Sequence, residues 1–80
     1  MNVGDTLTLS GITKHGKNRV REQGAKWMVI ELKTVKHRMS TFPVGTPIAL
    51  LAAVSDPHKH WRWIRQTNDK NFQIDEVRAA

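Results

Sequence analysis

There is no cysteine in this chain, so neither a disulfide framework nor a thiolate zinc site can supplement its core, and a cytosolic setting is the simpler expectation. Long apolar runs are missing too. The longest, "IALLAAV" from Ile48 to Val54, falls far short of the roughly 20 residues a membrane helix needs. The start, "MNVGDTLTLSG", has neither the basic opening nor the continuous apolar stretch of a signal peptide. A soluble, cytoplasmic protein is expected. Aromatics are few as well: Trp27, Phe42, Trp61, Trp63 and Phe72. A chain of 80 residues buries only about 60 % of the surface its unfolded form exposes, so those rings are needed for one compact core, and residues 1–80 are expected to form a single domain.

Acidic residues are the scarcer charge, seven against 13 lysines and arginines, for a net charge of +6. The excess is uneven. Between Lys14 and Arg38 stand Lys14, Lys17, Arg19, Arg21, Lys26, Lys33, Lys36 and Arg38 against only Glu22 and Glu31, whereas the charges of the second half nearly cancel. A basic patch of this kind favours an anionic partner, although net charge also serves solubility alone.

Hydrophobic alternation points to strands. "DTLTLSG" sets Leu7 and Leu9 against Thr6, Thr8 and Ser10, and Gly11 breaks the pattern. "KWMVIELKT" places Trp27, Val29 and Glu31 on one face and Met28, Ile30 and Leu32 on the other, as expected of a central strand. "VKHRMSTFPVGTP" reads as a long connection because Pro43, Gly45 and Pro47 interrupt it. "IALLAAV" then reads as a buried strand, since Pro47 and Pro57 leave little room for a helix. "HWRWIRQT" and "FQIDEV", joined by "NDKN", are expected to pair as a hairpin. Five short strands and one long basic loop after the first suggest an all-β fold, a small five-stranded SH3-like barrel, with an oligonucleotide-binding-type barrel as the rival. Leu7, Leu9, Val29, Ile30, Leu50 and at least one of Trp61 and Trp63 are its expected interior.

The basic loop is "KHGKNRVREQG", Lys14 to Gly24. Extended, it aligns His15, Lys17, Arg19 and Arg21 in one cationic row. If Asn18 instead caps a helical turn closed by Gly24, Arg21 and Glu22 fall on the side of Asn18 and Arg19 comes within reach of Glu22. A solvated loop with no partner is the plain alternative. Within this stretch, "GKNRVREQG" followed by Trp27, together with a "WxxxTND" pattern from Trp63 to Asp69, resembles a motif of small uncharacterised phage-encoded proteins, with Gln23 where that motif carries histidine. The resemblance is local, covering about Gly11 to Val29. It implies a phage accessory protein of unknown function, acting in the host cytoplasm, and assigns no chemistry to any residue.

Catalytic patterns are absent from the sequence. Ser10, Ser40 and Ser55 have no neighbouring base and orienting acid, and adjacent Asp75 and Glu76 point to opposite faces of a strand; no enzyme and no cofactor are expected. His58 and His60 have the spacing of two metal ligands on one strand face, but closing a site requires His15, His37 or a carboxylate, so no metal is expected. Trp61 and Trp63, flanked by Lys59, Arg62 and Arg65, suit base stacking or the core. The expected function is nucleic-acid binding, DNA or RNA, mainly through backbone contacts of Lys14, His15, Lys17, Arg19, Arg21, Lys26, Arg62 and Arg65. A protein-interaction module gripping an acidic host or virion protein is the alternative, because arginine pairs with carboxylate as readily as with phosphate.

Overall fold

A computed structural model describes residues 1–38 and 41–80; Ser40 lies outside the described residues. The alternation of the first segment becomes β1 (Thr6–Gly11), with Leu7 and Leu9 buried. The other strands are β2 (Lys26–Thr34), β3 (Pro47–Ala53), β4 (Trp61–Arg65) and β5 (Phe72–Arg78). They form one antiparallel sheet in the order β4-β3-β2-β1-β5. The molecule is therefore mostly β, with a five-stranded open sheet and little helix.

Two expectations about the elements are corrected. The last two strands are not a hairpin: β4 pairs with β3, β5 pairs with β1, and residues 66–71 carry the chain from one edge of the sheet to the other. The reason lies in Asp69, whose carboxylate accepts the backbone N–H of Arg65, Asn71 and Phe72 at 2.9, 3.0 and 3.2 Å and so folds this segment on itself. In a flat sheet β4 and β5 would stand about 19 Å apart, four strand spacings. The Arg62 guanidinium instead lies 5.1 Å from the Phe72 ring centroid, so the sheet is curled and its two edges approach each other.

The second correction concerns the basic loop, which is a helix, α1 (Lys14–Gln23). Thr13, not Asn18, is its N-cap, accepting the Gly16 N–H at 3.1 Å. Gly24 ends it at φ 94°, a left-handed conformation that favours glycine, and donates its N–H to the Val20 carbonyl. Close approach seats the helix. A Cβ on Gly16 would collide with the Asn71 carbonyl, and one on Gly11 with the backbone of Gly16 and Lys17. Thr13 Oγ1 also donates to Asn71 Oδ1 at 2.7 Å, and Ser55 Oγ to the Gln23 carbonyl at 2.8 Å, so both ends of α1 are tied to distant segments.

The core fills the concave side of the sheet with Leu7, Leu9, Trp27, Val29, Ala49, Leu51, Ala53, Ile64 and Phe72. Between Val29 and Glu31 the pairing of β2 with β3 shifts by one residue. This bulge reverses the alternation, so that Leu32 packs with Trp27 and Val29 rather than opposite them. Ile30 and Leu50 are half-buried, contrary to expectation, and Leu51 takes the interior place. A second cluster, Val35, Phe42 and Ile48, lies on the outer face of the sheet, with Trp63 packed against it. Trp61 is exposed. Among the described residues no helix is long and apolar enough to cross a membrane.

Candidate functional site

Helix geometry sorts the cations of α1 into two groups. Lys14, Lys17 and Arg21, spaced i, i+3 and i+7, share the outward face; all three are exposed, and Arg21 Nη2 donates to Asn18 Oδ1 at 2.9 Å. His15 and Arg19, spaced i and i+4, share a second side with Glu22, and Arg19 Nη2 pairs with Glu22 Oε2 at 3.1 Å. The continuous row of an extended loop is thus split in two. Lys26 stands apart on the outer face of β2, beside Thr6, Thr8, Glu76 and Arg78.

Strand β4 continues the second group. Alternation turns Trp61, Trp63 and Arg65 outward, and Arg62 with Ile64 inward. Lys33 lies 4.6 Å from the centroid of Trp63, Arg62 5.1 Å from Phe72 and Arg65 5.9 Å from Phe42, each within cation–π range. A cleft of about 250 Å³ along the free edge of β4 is lined by the basic side chains of His15, Arg62, Arg65 and Lys70, the carboxylate of Asp69 and the rings of Phe42, Trp63 and Phe72. Trp63 is singled out from sequence, as a residue for base stacking or the core, whereas Lys70 and Phe72 are not, because only the edge-to-edge path of residues 66–71 brings them to Arg62.

The electrostatics of the cleft are unfavourable to the charge of Arg62. Burial first, and then the neighbouring Arg19 charge, pull the Arg62 guanidinium below its ordinary pKa; Asp69 acts in the opposite direction. The Nε atoms of Arg19 and Arg62 are both buried without a hydrogen-bond partner. Among the described residues the ion pairs are Arg19–Glu22 and Arg78–Glu76, so the other cations named here have no carboxylate at contact distance.

Trp61 adds a fixed aromatic surface. Its indole Nε1–H donates to the Pro57 carbonyl, which orients a ring that is 59 % exposed. His58 and His60 lie in the same turn, and among the described residues no group of three His, Asp or Glu side chains is placed to hold a metal ion. No family model, no curated protein and no solved structure matches this chain.

Proposed function

We propose that this chain binds single-stranded nucleic acid, with phosphates along the outward face of α1 and bases against the rings beside β4. The observation that carries this reading is the cleft, where His15, Arg62, Arg65 and Lys70 stand next to the half-buried Trp63, with the exposed Trp61 on the same outward face of β4, Phe42 and Phe72 being buried. Cations beside ring faces suit a ligand that alternates phosphates with flat apolar bases, and stacking on aromatic side chains contributes about 1–3 kcal/mol per base without demanding a sequence. The strand order and curled sheet favour an SH3-like barrel left open between β4 and β5 as the scaffold. A cytoplasmic accessory protein of phage type is the setting that the motif resemblance adds, and it gives no residue a role.

The test is fluorescence anisotropy of labelled single-stranded RNA and DNA over a salt series. If about five phosphates are neutralised, log K against log salt should fall with a slope of about −3 to −4. An absence of binding at low salt would overturn the reading in favour of the second one, a protein partner. That alternative is favoured by the free outer edges of β4 and β5, where a partner strand can pair with the exposed backbone.

A further inference from the structure

We infer that the outer face of the sheet carries a second single-strand binding surface, a row from Trp61 to Arg78 that takes bases at its β4 end and a phosphate at its β5 end. The inference rests on the nucleic-acid reading and adds to it a part of the interface outside the cleft. Register builds the row. Trp61 pairs with Ala52, Ala52 with Met28, Met28 with Thr6 and Thr6 with Arg78, so five outward-facing residues, one from each strand, stand side by side across the sheet. At four strand spacings the row is about 19 Å long. Trp63, two residues along the same face of β4 from Trp61, lines the cleft, so the row begins beside it.

Chemistry changes along the row. Met28 stands on the central strand and is nevertheless 39 % exposed, with Ala52 buried between it and the exposed Trp61. A tryptophan face stacks on bases, and a thioether makes favourable contacts with aromatic rings. The other end is polar. Thr6, Thr8, Lys26, Glu76 and Arg78 line a cavity of about 170 Å³, where two cations stand against one carboxylate. Arg78 Nη2 lies 3.5 Å from Glu76 Oε1 with both side chains exposed, an ion pair of little worth, and Lys26 has no carboxylate at contact distance among the described residues. One phosphate can therefore accept from Lys26 and Arg78 while the threonine hydroxyls donate to its remaining oxygens. An apolar, ring-binding end joined to a cationic, hydroxyl-lined hollow suits a chain that alternates bases with phosphates. A duplex hides its bases, and an acidic peptide would leave Met28 uncovered.

The experiment titrates the full chain, labelled with 13C at the methionine methyl groups and with 15N throughout, with single-stranded DNA and RNA of about 12 nucleotides. The Met28 methyl and the Trp63 indole N–H signals should shift together, and the buried Trp27 indole, which donates to the Gly24 carbonyl, should not respond. The same sequence as a duplex should leave the Met28 methyl in place. Lys26→Gln combined with Arg78→Gln should reduce the salt slope of single-strand binding by about 1.4. Both side chains are exposed, so the melting temperature should barely move. Because the resonances are read on the unaltered chain, the main result does not depend on the variant folding. A shift of Trp63 with Met28 unmoved overturns the row and leaves the cleft reading standing. A shift of Met28 with Trp63 unmoved supports the row and overturns the cleft. Equal movement of Met28 with the duplex overturns the base contact, an unchanged slope in the double variant overturns the phosphate site, and an absence of binding overturns both readings.

Discussion

Single atoms decide much of this molecule. Gly16 is required by the closeness of the Asn71 carbonyl rather than by its backbone angles, so Gly16→Ala should destabilise by about 1–3 kcal/mol although alanine is the better helix former. Denaturant unfolding followed by circular dichroism checks this; a gain in stability would mean that α1 moves away from Asn71 at little cost. Asp69→Ala should cost about 3 kcal/mol, because three part-buried backbone donors lose their acceptor together. For Arg62 the expectation runs the other way. Its folded pKa is lowered, so its charged form is disfavoured by folding at every pH below that pKa, and the penalty is relieved only as pH rises through it, far on the alkaline side. Arg62→Met keeps an apolar cover over Phe72 and removes the repulsion with Arg19. It should melt no lower than the parent at neutral pH, and a marked fall in melting temperature would show that the charge is compensated after all.

At the level of elements, every strand was readable from alternation and turn residues, whereas α1 was legible only as the alternative of a single turn closed by Gly24 with Arg19 in reach of Glu22. Its ten residues contain one large aliphatic side chain, Val20, so it lacks the apolar stripe by which a helix announces itself. The signals present were at its ends, Thr13 and Gly24, and its sheet-facing side is made of a missing side chain, Gly16. The bulge in β2 was hidden for a similar reason: a one-residue slip has no composition of its own, and it exchanged Leu50 for Leu51 as the core residue. Leu51→Ala should therefore cost about 2–5 kcal/mol and Leu50→Ala distinctly less, measured by urea unfolding. Of the candidate site, the basic residues of α1 were evident as charge, whereas their division into two faces depends on the helix. Replacing Lys14, Lys17 and Arg21 together by glutamine should reduce the salt slope of single-strand binding by about 2 while leaving stability nearly unchanged. An unaltered slope would place the strand on the cleft side alone.

Across the whole molecule, the strand order separates near from distant pairings. The sequence β2, β3, β4 is a meander of neighbours, and α1 follows β1 directly, but β1 is completed only by β5, which joins residues 6–11 to residues 72–78. Closing so large a loop is entropically late, and the time needed to fold grows with such separations. The meander should thus form the nucleus and β5 should dock last. Stopped-flow chevrons test this: Leu51→Val should mainly slow folding, and Phe72→Leu should mainly speed unfolding. If the Phe72 change slows folding to the same degree, the two ends of the chain meet early. Seen from the ribosome, the same topology means that the β1 edge, with Leu7 and Leu9 on that strand, waits unpaired until residues 72–78 have been made. Chaperone capture, domain exchange with a neighbouring nascent chain and proteolysis all compete with folding during that interval.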